Sequence, residues 1–248
     1  MEMTLIGADQ PDLVAAVPPA SRQAAVAATR AAVIEVGLGP WPAAHLHAPP
    51  GHYGLFVLDG LLSRHVQLGE RSCVELLGAG DVIRPWDTLT EAVTVSADAR
   101  WTVQSETRLA VMDRAFALRV GPYPEVVAAL MSALVRRSRW LAFHLAVCHL
   151  PQLELRLRVV FWHMADRWGR VTPEGVVVPL RLTHELIGGL VGARRAPVTR
   201  ALGRLADAGT VRRRADGAWV LRGVPPIELA HTHLRSAGGD APAQPRSA

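Results

Sequence analysis

The spacing of apolar and polar residues changes character along the chain. Arg22 to Val36 is Ala-rich with apolar residues at helical spacing, and it predicts a short helix closed by Gly37, Gly39, Pro40 and Pro42. From Trp41 to Met112 the runs shorten. Tyr53–Leu58, Leu61–Gln67, Cys73–Leu77, Ala92–Ser96, Arg100–Gln104 and Leu109–Met112 are separated by Gly, Asp and Ser. Short strands at such regular spacing predict an antiparallel sandwich or barrel. The pair Asp59-Gly60 between two apolar runs predicts a hairpin turn. After Gly121-Pro122 the period becomes helical. Val127, Leu130, Leu134, Leu141 and Cys148 fall near one stripe, and Arg136, Arg137 and Arg139 are expected on the wet side. A helix over 124–149 is about 40 Å long, more than a small sandwich covers. Its stripe therefore predicts pairing with a second copy, the alternative being a helix packed on its own sheet.

Pro151 interrupts, and Leu153 to Trp168 predicts a further helix with Leu155, Val159, Trp162 and Met164 toward the core and Gly169 at its end. Val176–Leu180 suits a short strand. Residues 182–206 then read LTHELIGGLVGARRAPVTRALGRLA. Thr183 is a good N-cap, and Glu185 lies in the first turn, where the helix dipole favours an acid. Gly192 can take the left-handed conformation that ends this helix. A second helix starts near Arg194, with Pro197 in its first turn, where a missing N–H costs little. Ile187, Leu190, Val198, Leu202 and Leu205 can share one apolar face, and Gly188 is small where the helices come close. This is a helix-turn-helix. Its second helix presents Arg194, Arg195, Thr199 and Arg200 near the end that enters the major groove, where arginine can be bidentate to guanine or hold phosphate. Asp216-Gly217 predicts a hairpin turn behind it, making a wing with Arg212, Arg213 and Arg214 along its edge.

Charge supports this placement. All 27 basic residues are arginine, against 22 acids. Residues 181–222 hold nine arginines and three acids, a net of +6, whereas residues 1–120 carry a net of −4. A basic excess confined to one module is the footprint of a polyanion partner. Apolar residues make up 50% of the 248, which excludes a disordered chain. No run approaches the roughly 18 apolar residues of a membrane span, and the first residues, MEMTLIGADQPDL, carry no basic start and no signal core. The expectation is a cytoplasmic chain that does not engage membrane. Two cysteines, Cys73 and Cys148, are too few for a disulfide framework or for a four-thiolate iron–sulfur cluster, which is not expected.

A Gly-Ala-Gly-Asp-Val-Ile83 segment among predicted strands, a long helix and a winged helix-turn-helix, in this order, resemble the cyclic-AMP receptor / fumarate-nitrate regulator (Crp/Fnr) family of bacterial transcription regulators. The resemblance covers residues 20–223 and is strongest in 151–223. It implies an α+β chain. Residues 1–120 would form an N-terminal antiparallel β-roll of the cyclic-nucleotide-binding, jelly-roll kind. A dimerisation helix would follow over 121–150, then a C-terminal winged helix-turn-helix over 151–225 and a disordered tail over 226–248. It further implies no catalysis, a homodimer on a pseudo-palindromic site in double-stranded DNA, contact with RNA polymerase, and a small-molecule effector. Arg195 and Arg200 match both arginines of the family's Arg-Glu-x-x-x-Arg pattern. Ala196 replaces the glutamate, so the preferred half-site is expected to differ. Thr183 matches a phosphate-contacting position.

The effector and any cofactor are left open. The Gly-Glu element and the Arg-Ser/Thr pair of cyclic-nucleotide binders are missing. After Asp81 the chain reads Val-Ile-Arg-Pro-Trp-Asp-Thr-Leu-Thr-Glu91, and Leu141 and Ala142 stand where the family has polar base contacts. Tight cyclic-AMP binding is therefore not expected. Asp87, Glu91 and Arg100 are distant substitutes at best. His45, His47 and His52 are candidate ligands for zinc or a similar metal, which leaves a cupin-like metal-binding domain or metalloenzyme fused to a DNA-binding module as the alternative. His144 and Cys148 lie one helical turn apart, a possible redox or metal pair or simply part of a dimer seam. A ligand-free regulator, active as expressed, is the third reading.

Overall fold

The computed structural model describes residues 2–43, 50–86 and 98–226. The chain divides into two compact units, Met1–Ala146 and Val147–Ala248. The first unit opens with β1 (Met3–Leu5), α1 (Ile6–Asp9) and α2 (Pro19–Ala28). Its strands follow as β2 (Arg30–Val36), β3 (Gly39–Trp41), β4 (Gly54–Leu68), β5 (Arg71–Gly78), β6 (Val82–Ile83) and β7 (Asp98–Met112). The helices α3 (Arg114–Val120) and α4 (Pro124–Cys148) come next. The strands form one sheet in the order β1-β2-β7-β4-β5, with β3 beside β7 and β6 beside β4. Every described pairing is antiparallel.

The helix expected over Arg22–Val36 stops at Ala28, and Arg30–Val36 is strand β2. Alternation decides this. Ala31 and Val33 are buried while Arg30 and Glu35 are not, and the strand is held on both sides, by β1 and β7. The expected strands Tyr53–Leu58 and Leu61–Gln67 are one 15-residue strand, as are Arg100–Gln104 and Leu109–Met112. Asp59-Gly60 is accordingly a bulge rather than a hairpin turn. Pairing with β7 continues on both sides, with register shifts between Val57 and Leu62. Gly60 has φ of 92°, and a Cβ there would stand 2.4 Å from the Glu106 carbonyl oxygen. Such a bulge bends a strand without reversing it. The chain reverses at Gly69 instead, where Leu68 pairs with Arg71. The expected strand Ala92–Ser96 lies outside the described residues, as does the tail beyond residue 226.

Two apolar layers meet on β4. Leu55, Val57 and Leu62 face Leu77, Ile83, Trp101, Val103 and Leu109 inside the roll. Phe56 and Leu58 face Ile6, Met112, Phe116, Val126 and Leu130 in the helical layer. This explains why Gly54–Leu58 shows no polar alternation, since both of its faces are covered.

Helix α4 departs from its expected orientation. Leu130 is buried and Val127 is packed against the unit's own core, so neither belongs to an open stripe. The exposed apolar positions are Met131, Leu134, Val135, Leu141 and Leu145. Arg137 is not on the wet side. Its Nε and Nη2 donate to the two carboxylate oxygens of Glu75 on β5, at 2.5 and 2.8 Å. The Glu75 side chain is 5% exposed.

The second unit contains α5 (Leu153–Trp168), β8 (Arg170–Thr172), β9 (Gly175–Val178), α6 (His184–Val191), α7 (Arg195–Asp207), β10 (Val211–Arg213) and β11 (Trp219–Leu221). Its sheet runs β10-β11-β9-β8, antiparallel throughout. On α5 the buried residues are Leu157, Val159, Val160, Phe161 and Met164, while Leu155 and Trp162 are only half-buried. The core joins α5 to Ile187, Leu190, Val198, Leu202 and Trp219, with the Phe161 and Trp219 rings 4.9 Å apart.

Candidate nucleic-acid interface

The geometry of α6 and α7 follows from a few local choices. Thr183 is the N-cap of α6, and its Oγ1 accepts from the Leu186 amide at 3.1 Å. Gly192 ends the helix in the left-handed conformation, φ 66°. Gly188 is required by the turn itself. The Ala193 amide donates to its carbonyl, and a Cβ on Gly188 would come within 2.5 Å of the Ala193 carbonyl oxygen. Arg194 is then the N-cap of α7, with Arg195 its first residue and Pro197 in the first turn, as expected. Ile187, Leu190, Val198, Leu202 and Leu205 are all buried. The apolar face fixes which way α7 points. Arg194, Arg195, Thr199 and Arg200 are turned to solvent, together with Thr183. Arg204 faces α5, where its Nε donates to Glu154 at 2.6 Å.

The wing forms as expected around Asp216-Gly217. Arg214 donates its amide to the Ala218 carbonyl at 2.8 Å, Asp216 Oδ1 accepts from the Ala218 amide, and Gly217 has φ of 89°. The strand's alternation divides the wing arginines. Arg212 and Arg214 lie 3.9 and 4.0 Å from Glu174, and Arg214 also pairs with Asp216 at 3.4 Å. Arg213 points the other way, its guanidinium 5.8 Å from the Trp219 ring centroid. Trp219 is also 6.2 Å, ring to ring, from His184, the first residue of α6. His184 reaches α7 directly, with Nδ1 2.8 Å from Thr199 Oγ1. Burial, reinforced by the Arg213 and Arg195 guanidiniums, holds its pKa below the usual imidazole range. His184 is not among the residues that the sequence analysis singles out. The signal was there: the residue after the N-cap stands at the exposed mouth of the motif.

Arg195, Arg213 and Thr199 gather around His184, and Thr183, Arg194 and Arg200 are exposed on the same two helices and their caps. Their guanidiniums and the helix N-terminus are hydrogen-bond donors of the kind that phosphates and guanine edges accept.

The other candidates are less well assembled. Arg100 lies on the exposed side of β7 and donates to Gln67 at 2.7 Å; Asp87 and Glu91 lie outside the described residues. His52 is described, with its carbonyl accepting from Arg84 at 3.0 Å, while His45 and His47 lie outside. Among the described residues no group of three His, Cys, Asp or Glu side chains is placed to hold a metal. Cys73 and Cys148 are not joined in a disulfide. His144 is buried and stacks obliquely on Trp140, 5.1 Å between rings. No described helix is long and apolar enough to cross a membrane.

Comparison with known proteins places these features. Residues 155–222 match the Crp-like helix-turn-helix domain. The regulatory protein CysR of Synechococcus elongatus is 33% identical over 93 residues, which span 36% of this chain and 45% of that protein. The aligned part is therefore a little under half of that relative. Among solved structures, a mutant of CooA from Carboxydothermus hydrogenoformans is similar with a TM-score of 0.61 and 17% identity, over 81% of this chain and 87% of that one. TTHA1359 from Thermus thermophilus, described as a transcriptional regulator of the CRP/FNR family, is similar with a TM-score of 0.54 and 19% identity, over 80% and 97%. The chain thus carries a Crp-like helix-turn-helix domain over residues 155–222 and has the fold of the Crp/Fnr transcriptional regulators.

Proposed function

We propose that this protein is a sequence-specific DNA-binding transcription regulator that acts as a homodimer and by binding rather than catalysis. The observation that carries this is the solvent-facing start of α7. Arg194, Arg195, Thr199 and Arg200 stand there with no carboxylate among them, beside Arg213 of the wing. Arg195 and Arg200 are assigned to base edges or phosphates, Arg194, Thr199 and Thr183 to their support, and Arg212, Arg213 and Arg214 to the flanking backbone. Because Glu174 already engages Arg212 and Arg214, Arg213 is the wing residue most available to DNA.

The dimer reading rests on α4. Met131, Val135, Ala142 and Leu145 are exposed, with Ser138 between them, at alternating spacings of four and three, the pattern of a coiled-coil seam. Such a dimer suits a two-fold site. Tight cyclic-AMP binding is not part of the proposal, and a different small molecule remains the candidate effector.

The test is selection of duplexes from a random library by the purified protein, with no ligand added. Recovery of a two-fold symmetric site with half-sites about 34 Å apart is the expected result. On that site, Arg200→Ala should cost about 1–3 kcal/mol and relax one base position, whereas Arg213→Ala should weaken all sequences alike. Equal losses on selected and random duplexes for both variants would refute this division of labour. Failure to enrich any sequence, with or without cell extract, would overturn the regulator reading.

A further inference from the structure

We propose that His184 grips a DNA phosphate only as the imidazolium, so that DNA binding takes up a proton and tightens as pH falls. The inference rests on the DNA-binding reading and adds its regulation. The Thr199 hydroxyl has a single proton, and its Oγ1 donates to the Arg195 carbonyl at 3.0 Å. The same oxygen lies 2.8 Å from His184 Nδ1. With its proton committed to the carbonyl, the oxygen must accept from Nδ1–H. The neutral ring then presents Nε2 as an acceptor, which cannot bond a phosphate oxygen. Protonation turns Nε2 into a donor, leaves the Thr199 bond intact, and adds a charge-assisted contact.

The surroundings set the direction of the coupling. His184 is half-buried at the first position of α6, between α7 and the wing. The charges acting on it are the guanidiniums of Arg213 from β10 and Arg195 from α7. Trp219 of β11 supplies an uncharged face, and on its own helix Glu185 is exposed to water. The N-terminal end of α6 adds a further positive potential. In the free protein burial, the two guanidiniums and the helix terminus favour the neutral ring. A phosphate docked among Arg195, Arg213 and the α6 terminus reverses the local sign and raises the affinity of the ring for a proton. Linkage then requires affinity to rise as pH falls between the bound and free values, by at most about tenfold per pH unit for each proton taken up, and so about a hundredfold for a dimer that takes up one per subunit.

His184→Asn separates this from a structural role. Its amide nitrogen can take the place of Nδ1 as the donor to Thr199 but cannot titrate. The experiment measures affinity for the library-selected duplex from pH 6 to pH 8 at fixed salt, with proton uptake read by calorimetry in buffers of different ionisation enthalpy. Expected for the wild type is a several-fold tightening toward pH 6 and uptake of a fraction of a proton per subunit. His184→Asn should lose that share of both slope and uptake, whatever its affinity at pH 8. Equal pH slopes in the two proteins, with binding intact, overturn the proposal alone. Should the variant fold poorly, the ring's own ¹⁵N titration in free and DNA-bound wild type decides, and a pKa that does not rise on binding overturns it. Absence of DNA binding by the wild type at every pH overturns the DNA-binding reading and this proposal with it.

Discussion

Replacing Arg137 by Met removes the charged end of the side chain while keeping most of its length, and it leaves Glu75 without its main partner. The pair makes two bonds at 2.5 and 2.8 Å, and Arg137 adds a longer one to the Val82 carbonyl at 3.4 Å. Hydrogen bonds to charged groups contribute about 1.5–3 kcal/mol each, and removing one partner of a buried pair costs about 3–5 kcal/mol because a charge is stranded. Arg64 stands 3.9 Å from the same carboxylate and still screens it, so the lower end applies, about 3 kcal/mol. Much of that cost is the stranded carboxylate, so Glu75→Gln in the Arg137→Met background should recover part of it. The assay is urea unfolding of the two single variants and the double variant, with amide exchange at Arg71–Gly78 reporting the unit concerned. A double-mutant coupling below about 0.5 kcal/mol, within ordinary additivity, would show that the pair is a solvated contact and that α4 is held to the roll by apolar packing alone.

Gly188→Ala should destabilise the second unit by about 1–3 kcal/mol, the cost of forcing a methyl group into a filled space, because the obstacle is a backbone carbonyl; a urea midpoint unchanged from the wild type would refute the turn argument. Val135→Glu together with Leu145→Glu should convert a dimer to monomers in sedimentation, since two charges would face a desolvated seam. Persistence of a dimer of unchanged affinity would move the interface elsewhere.

The second unit was legible in the sequence because its boundaries are set by neighbours. Thr183, Gly192, Pro197 and Asp216-Gly217 each act within a few residues, and each sits where a cap or turn needs it. The roll was less legible because its strands are set by partners far along the chain. Asp59-Gly60 has the local character of a hairpin turn, and only the continued pairing of β4 with β7 makes it a bulge. Arg30–Val36 has helical composition, and its alternation becomes decisive only when β1 and β7 lie on either side. Arg137 looked like a solvated arginine because its carboxylate partner is 62 residues away. His184 was hidden differently: its importance depends on Thr199, Arg195 and Arg213 being brought to one place by the turn and the wing.

The segment Leu55–Leu58 has no side that faces water. Successive side chains enter the roll interior and the helical layer in turn, so no position in it can accept a charge or a change of volume as a surface change. Substitution there should be restricted to apolar residues of similar size, in contrast to the permissive far end of the same strand at Leu68, which is 54% exposed. It also means that the roll interior cannot be remodelled independently of the helices. A sequence that acquired a larger residue at Leu55 or Val57 would displace a strand whose other face is Phe56 and Leu58, and compensating changes would be needed around Phe116, Val126 and Leu130. The two cores of this unit are thus bound to change together, through a single strand.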